Sequence, residues 1–287
     1  MLSFCITMNK INSPVKFIKV NLYNDVEIGG RIYAQFCHLF AEVLLSDQKD
    51  HFYQHALTVM HKLTATKYHF ENYKKLEFEQ YNHAKRQFKR NPHETREAIE
   101  LIFEIEAFLF KVKSSLDMLV KLLRPILGDG VVKTKTYSNK GDDLINGLCQ
   151  YKKSKNANAG AVDKLIRLVE DSKQTWIQKA VELRDELNHD KGLRDYKFIP
   201  QVLSNGDITV VRPRFKNMEA VNYLSTVYSS NLIFHQDFMA HSLALKAPQA
   251  IFLAEETPKN TIEMYGPKIG PYVKFCWRAH GGSQKSG

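Results

Sequence analysis

The sequence predicts a mainly α-helical protein, an antiparallel helical bundle with a small β-hairpin and an irregular C-terminal appendage. Long segments repeat apolar residues three and four positions apart, which is the spacing of one helix face. Strand-like patterns are confined to short stretches, one of them around an Asn-Gly pair. The 287 residues, 44% of them hydrophobic and 25% charged, are enough for a full core and exclude a disordered or disulfide-stapled chain.

The N-terminal half is predicted to contain an irregular segment and three helices. Residues 1–28 show only a strand-like patch at 15–22. An amphipathic helix is expected from Gly30 to Leu45, and a long polar helix from Lys49 to Phe88. Asn91-Pro92 marks the start of the third helix, because Asn caps a helix N-terminus and Pro suits the first turn.

The third helix is predicted to lie deep in the bundle and to end at Arg124, where Pro125 and Gly128 stop it. Its apolar residues recur at helical spacing: Leu101, Ile102, Ile105, Phe108, Leu109, Val112, Leu116, Leu119, Val120 and Leu123. Residues 128–160 are rich in Gly, Asn and Lys. We interpret them as a mobile connection with room for one short helix at 142–151.

The C-terminal half continues the helical pattern. A helix is expected from Ala161 to His189, with Gly192 as its left-handed cap. A hairpin is expected over 198–212 around the Asn-Gly turn, and another helix over 218–246. These elements complete one helical domain, residues 29–246.

The last segment, 247–287, is predicted to be an irregular appendage with one strand at 272–277. It carries the helix-breaking residues Pro248, Pro258, Pro267 and Pro271.

The chain is strongly basic, since 41 Lys+Arg against 31 Asp+Glu give a formal net charge of +10. This excess suits a polyanionic partner such as nucleic acid, and equally a cationic surface kept for solubility. The 4 cysteines form no Cys-x-x-Cys pair, which favours free thiols in a reducing compartment. Because no signal peptide or uninterrupted membrane span is recognisable, we expect a cytoplasmic protein without membrane contact.

The most informative stretch is residues 182–190. On a helical wheel Arg184 falls in the middle of the apolar stripe of its helix, with Asn188 to one side. An arginine there must pair in the core, reach an edge, or line a cleft or subunit interface. Asp185 and His189 are one helical turn apart and can hydrogen-bond to each other.

These residue types suit phosphodiester chemistry without a metal. Arg184 can hold a phosphate with its planar guanidinium and stabilise charge that develops on the phosphate oxygens. His189 can exchange a proton with a ribose 2′-hydroxyl or with the leaving oxygen near neutral pH, while Asp185 orients the imidazole. The plainer alternative is a buried Arg–Asp pair and a histidine that only ends the helix.

Arg184-Asp185-Glu-Leu-Asn-His189 resembles the Arg-x-x-x-x-His signature of the HEPN superfamily, in which a polar residue commonly follows the Arg. The earlier apolar helix, from Phe103 to its Ser-Ser-Leu-Asp117 segment, looks like a helix found in many HEPN-like proteins. The order of elements is also similar, and the resemblance covers roughly residues 30–246.

The resemblance implies a helical bundle that, in many members, is a metal-independent endoribonuclease with a composite site across a homodimer. Carried over, Arg184 binds the scissile phosphate, His189 is the acid and base, and Asp185 supports them. The products are then a 2′,3′-cyclic phosphate and a 5′-hydroxyl, and no cofactor is expected. Many relatives act in toxin–antitoxin, CRISPR or phage-defence systems, which implies an antitoxin or defence partner. Others are catalytically inactive and bind RNA, nucleotide or a partner protein.

Basic residues on the long polar helix are candidates for holding an RNA backbone, above all Lys85, Arg86, Lys89 and Arg90, with Asn188 as a further contact. They continue a basic set that begins with Lys74 and Lys75. This set is interleaved with three aromatic residues that can stack on bases, Tyr73, Tyr81 and Phe88. Lysines of the connection are further candidates: Lys133, Lys135, Lys140, Lys152, Lys153 and Lys155. The alternative is a solvated face, because Glu77 and Glu79 interrupt the run.

Two metal-dependent interpretations have weaker support. His51 and His55 are one turn apart on the polar helix, but no zincin-like Glu accompanies them. His189-Asp190 could be the dipeptide of a metal phosphohydrolase, which would need ligands such as His235 and Asp237. Neither set is complete, so no metal site is predicted.

Overall fold

The structure is a computed structural model that describes residues 26–89, 99–128, 136–188, 196–215, 217–254 and 274–278. Over these ranges it is mostly helical, with small antiparallel β-hairpins, so the predicted mainly α fold is confirmed. The expected strand-like patch at 15–22, the helix start at Asn91-Pro92 and the Gly192 cap lie outside the described residues.

Eight α-helices and six short strands follow one another along the described chain. A π-helical segment, Val26–Ala34, leads into the first helix. The helices are α1 (Gln35–Val43), α2 (Ser46–Phe88), α3 (Ile99–Leu122), α4 (Arg124–Leu127), α5 (Asp142–Lys152), α6 (Ala159–Ser172), α7 (Gln178–Asn188) and α8 (Ala220–Ala244). The strands are β1 (Ile199–Val202), β2 (Ile208–Val211), β3 (Arg214–Phe215), β4 (Met218–Glu219), β5 (Ile251–Leu253) and β6 (Phe275–Trp277).

Helices α2 and α3 form a long antiparallel pair. Nδ1 of His69, in the middle of α2, lies 2.7 Å from Oε2 of Glu104 near the start of α3. Burial, and then the charge of Lys121 at the other end of α3, lowers the pKa of His55 near the start of α2. The predicted apolar stripe of α3 is buried along almost its whole length, as its helical spacing requires.

Proline ends α3 in the way the sequence suggests. Pro125 has no N–H to donate to the Lys121 carbonyl, so α3 ends at Leu122 and the chain continues as the single turn α4. Gly128 ends that turn with a φ of +85°, a conformation that favours glycine.

The predicted helix over 161–189 is observed as α6 and α7. Asn158 caps α6, since its Oδ1 accepts the N–H of Ala161 at 2.9 Å. A π-helical segment, Lys173–Ile177, joins α6 to α7 without a break in the helical chain. The last described residue of α7 is Asn188.

Part of the 128–160 connection packs into the core. The predicted short helix is present as α5, and its Leu144 and Leu148 are buried. Before it, the ring of Tyr137 is fully buried, and the Tyr137 backbone N–H donates to Asp117 Oδ1 on α3 at 2.7 Å. Asp117 also accepts from Lys113, so one carboxylate links α3 to the connection.

Helix α8 lies at the centre of the bundle, where it contacts α1, α2, α3 and α6. Its buried residues run from Ala220 to Leu243 and occupy most of its surface. Asn231 Nδ2 donates to Ser115 Oγ of α3 at 3.4 Å. The backbone oxygen of Asn231 lies 2.7 Å from Nδ1 of the fully buried His235.

The predicted hairpin is confirmed by β1 and β2, which pair antiparallel with Val202 opposite Ile208. Gly206 occupies the left-handed region at φ +82° and donates its N–H to the Leu203 oxygen at 2.9 Å. Asp207 then accepts the Leu203 N–H at 2.8 Å, which closes a three-residue loop.

The predicted C-terminal strand is present as β6, and it pairs with β5 so that Phe252 lies opposite Cys276. The appendage is therefore fixed to the domain in its described part. Gln35 of α1 is buried, and its Oε1 accepts the backbone N–H groups of Lys274 at 2.7 Å and Phe275 at 3.1 Å.

Candidate functional site

Arg184 lies on α7 where burial of the helix begins to fall. Ile177, Ala180 and Val181 are buried one to two turns earlier, and Leu187 is only partly buried. The Arg184 side chain is 21% exposed, so its guanidinium lies at the edge of the core and is open to one side. This position agrees with the predicted place of Arg184 on the apolar stripe.

Asp185 pairs with Arg184. Both the Nε and the Nη2 of Arg184 donate to Oδ1 of Asp185, the former at 3.0 Å. Within the described chain Nη1 of Arg184 and Oδ2 of Asp185 make no hydrogen bond, so the pair keeps a donor and an acceptor. The expected bond from Asp185 to His189 lies outside the described residues, as does His189, and the Asn188 side chain is also not described.

Glu182, one turn before Asp185, accepts two hydrogen bonds. Its Oε1 accepts from Lys140 Nζ at 2.7 Å and from Gln178 Nε2 at 2.8 Å. Burial, followed by the charges of Glu182 and Glu186, raises the pKa of Tyr223 on α8 to about 12. Lys140, predicted as an RNA contact, is thus engaged with the helix that carries Arg184.

The turn that carries Lys140 has an unusual backbone. Asn139 and Lys140 are non-glycine residues in the left-handed region, at φ +47° and +55°. Two consecutive residues of this kind cost on the order of 1–3 kcal/mol each and need contacts that fix them. Here Asn139 Nδ2 donates to Asp143 Oδ1 at 2.9 Å, and Lys140 pairs with Glu182.

The predicted basic residues line an open groove at the end of α2. The groove encloses about 490 Å³, and its described walls are Phe78, Glu79, Asn82, Lys85, Arg86 and Lys89. The structure therefore brings Lys85, Arg86 and Lys89 together, whereas Arg90 lies outside the described residues. Phe78 is 62% exposed, although large aromatic rings are usually buried.

The aromatic residue of this groove is not one of those predicted. Tyr73 is buried and hydrogen-bonds through its hydroxyl to Tyr196, and Tyr81 lies under the Arg212 guanidinium, whose Cζ is 4.5 Å from the ring centroid. Phe78 was not selected in the sequence analysis. A signal for it exists in the sequence, since positions 78, 82, 85 and 89 share one helix face.

The chain after α7 returns to α2 beside the groove. Tyr196 bonds to Tyr73, and Arg212 Nη1 donates to both oxygens of Glu77, whose side chain is 4% exposed. Asn188, the last described residue of α7, and Tyr196 are eight residues apart, so their Cα atoms are separated by at most about 29 Å. The signature segment and the groove are therefore connected by a short stretch of chain.

The described residues offer no complete ligand set for either metal-dependent interpretation. No group of three or more His, Cys, Asp and Glu side chains in the described ranges is arranged to hold a metal ion. His235 is fully buried against the Asn231 carbonyl, and Asp237 accepts from Lys274 Nζ at 2.7 Å. Asp190 is outside the described residues.

Comparison of the chain with models of protein families, with curated proteins and with solved structures gave no match. None of the helices described combines the length and the apolar character needed to cross a membrane.

Proposed function

We propose that the protein is a metal-independent endoribonuclease of the HEPN type, acting through Arg184 and His189. The observation that supports the proposal best is the half-buried Arg184 guanidinium, which keeps N–H donors after pairing with Asp185. A cation held at the edge of a core is less hydrated than one on the surface, so it interacts more strongly with a phosphate.

In the proposed reaction the ribose 2′-oxygen attacks phosphorus while the bond from phosphorus to the 5′-oxygen breaks. One His189 accepts the 2′-hydroxyl proton, and the leaving 5′-oxygen receives a proton from the His189 of a second copy. Arg184 stabilises the charge on the non-bridging oxygens, and Asp185 orients the imidazole through its second oxygen. The products are a 2′,3′-cyclic phosphate and a 5′-hydroxyl.

The groove on α2 supports RNA as the substrate. Lys85, Arg86 and Lys89 supply positive charge for the phosphates, and the exposed Phe78 ring offers a surface on which a base can stack. In the cell we place this activity in the cytoplasm, as a toxin or phage-defence effector controlled by an antitoxin or defence-system protein.

The test is cleavage of total RNA by the purified protein in EDTA. We expect cleavage with cyclic phosphate ends, and a loss of at least about 100-fold in the Arg184→Ala and His189→Ala variants. Arg167→Ala and His61→Ala change exposed residues of the same types on α6 and α2 and serve as matched controls. Undiminished cleavage by both site variants, with unchanged thermal unfolding, would remove the proposed roles.

A second candidate is a catalytically inactive HEPN-like module that binds RNA, nucleotide or a partner protein. The groove favours it, because the basic residues lie on α2 and need no chemistry from α7 to bind RNA. In the same assay this module would retain RNA without cutting it. Cleavage that requires an added metal would instead support the phosphohydrolase interpretation.

A further inference from the structure

Helix α3 carries an exposed apolar stripe on the side that faces away from the core. Ile99, Phe103 and Phe110 are 48%, 61% and 48% exposed. On a helical wheel they lie within about 40° of one another, on a line that Glu106 also occupies between Phe103 and Phe110. Exposed apolar residues grouped on one helix face mark an interaction site more often than isolated ones do.

Charged residues on one flank of this stripe change sign along the helix. Glu100 and Glu104 lie on the flank near the start of α3, and Lys111 lies on the same flank near its middle. Glu104 is held by His69 at 2.7 Å. Glu100 and Lys111 make no ion pair with any residue that the structure describes, and they are eleven residues apart, about 16 Å along the axis. One chain cannot pair them with each other.

A second copy lying antiparallel on the first would satisfy both features. If the two-fold axis passes between Glu106 and Ala107, Phe103 lies opposite Phe110 of the second copy. Lys111 then lies within about 3 Å along the axis of both Glu100 and Glu104 of the second copy. The same two contacts occur twice, as two-fold symmetry requires.

We propose that this face of α3, which we call the α3 stripe, binds the α3 stripe of a second copy in an antiparallel pair. The proposal deepens the homodimer expected in the proposed function by naming its surface, and it does not depend on RNA cleavage. The proposal also predicts that Glu106 weakens the dimer, because the two copies of this carboxylate lie near the two-fold axis and repel each other.

The experiment measures the dimer dissociation constant of the full chain by sedimentation at low salt. Replacing Phe103 and Phe110 by Ala weakens the dimer by at least about tenfold, since both rings lose their packing partner. Lys111→Glu also weakens it, and adding Glu100→Lys to that variant recovers part of the loss. Glu106→Gln strengthens the dimer. Leu253→Ser, at a residue 61% exposed on β5, is the control and leaves the constant unchanged.

Two outcomes would overturn the proposal: a protein that stays monomeric at all concentrations, or a dimer that tolerates the Phe103 and Phe110 changes. All these residues are exposed or half-buried, so we expect each variant to fold. Its thermal unfolding curve checks this. Cleavage assays of the same variants separate the two proposals. A normal dimer without RNA cleavage speaks against the function alone. A cleaving dimer that tolerates the Phe103 and Phe110 changes speaks against the α3 stripe alone, and cleavage by a monomer contradicts both the stripe and the use of a second His189.

Discussion

His235 lies in the middle of α8 with its whole side chain buried and its Nδ1–H directed at the Asn231 carbonyl oxygen, 2.7 Å away. Protonation would place a positive charge in the core, where burial disfavours it more than the backbone groups of Asn231 and Ser115 favour it. Burial accordingly lowers the pKa of His235 to about 4.

The lowered pKa of His235 predicts that the folded protein loses stability in acid. The unfolded chain binds a proton at its ordinary pKa of 6.5, whereas the folded chain resists protonation down to about pH 4. Stability is therefore complete above pH 6.5 and falls as the pH drops towards 4, by about 3 kcal/mol from this group. His235→Gln, which keeps a donor for the Asn231 oxygen but does not titrate, should remove that part of the pH dependence in urea unfolding.

His61→Gln on the exposed face of α2 is the control, and its pH profile should match the unchanged protein. Burial also lowers the pKa values of His55 and His241, so these groups contribute acid sensitivity to every variant alike. Equal slopes for the protein and for His235→Gln between pH 7 and 4 would contradict the assignment.

Single residues also show how far sequence reasoning reaches into the site. Arg184 could be placed on the apolar stripe of its helix because helical periodicity depends only on local spacing, whereas its position at the edge of the core was one of several left open. Tyr73 and Tyr81 could not be assigned, because their partners Tyr196 and Arg212 lie on either side of the β1–β2 hairpin, more than a hundred residues later. Phe78 was accessible by the same local argument that located Arg184.

At the scale of elements, the C-terminal strand β6 depends on one side chain of α1. Gln35 Oε1 accepts from the Lys274 and Phe275 backbone and from Gln236 Nε2 at 3.2 Å, and the bonds from Phe275 and Gln236 are buried. Without this oxygen, two backbone N–H groups at the start of β6 lose their acceptor, and each costs about 1–3 kcal/mol if it stays buried.

Gln35→Ala should therefore release β6 from the bundle. We expect faster hydrogen exchange at the Lys274 and Phe275 amides and a loss of about 2–4 kcal/mol in the free energy of unfolding. Gln54→Ala, on the exposed face of α2, should change neither quantity. Retained protection of both amides in Gln35→Ala would show that β5 alone holds the strand.

Elements differ in how well the sequence predicts them. The long helices α2 and α3 and the β1–β2 hairpin are determined by periodicity and by the Asn-Gly turn, which are local signals. The packing of Tyr137 against Asp117 and of β6 against Gln35 joins residues 20 and 239 positions apart. Composition alone therefore made these segments look like a mobile connection and an irregular appendage.

At the scale of the whole molecule, the net charge of +10 would make the proposed RNA binding dependent on salt. If Lys85, Arg86 and Lys89 each neutralise one phosphate, replacing all three by Ala should reduce the slope of log affinity against log salt by about 2 for single-stranded RNA. Phe78→Ala should instead weaken binding by about 1–3 kcal/mol with an unchanged slope, because stacking carries no charge.

A control variant that loses three positive charges outside the groove separates the effect of the groove on RNA binding from the effect of the overall charge. Lys164, Arg167 and Lys179 are exposed on α6 and α7, and their triple replacement by Ala lowers the net charge by the same amount. A filter-binding titration over a range of salt concentrations should show a much smaller effect for this control. Equal slopes for the two triple variants would mean that RNA is attracted by the whole surface.

The bond from Gln35 to Lys274 also affects how the chain is made. A ribosome produces α1 before the donors for the Gln35 oxygen, which lie 201, 239 and 240 residues further along the chain at Gln236, Lys274 and Phe275. During translation α1 can form without them, yet its Gln35 oxygen must remain hydrated or take a temporary donor until first α8 and then β6 have been synthesised. The native contacts of α1 are therefore completed only after these later elements have left the ribosome.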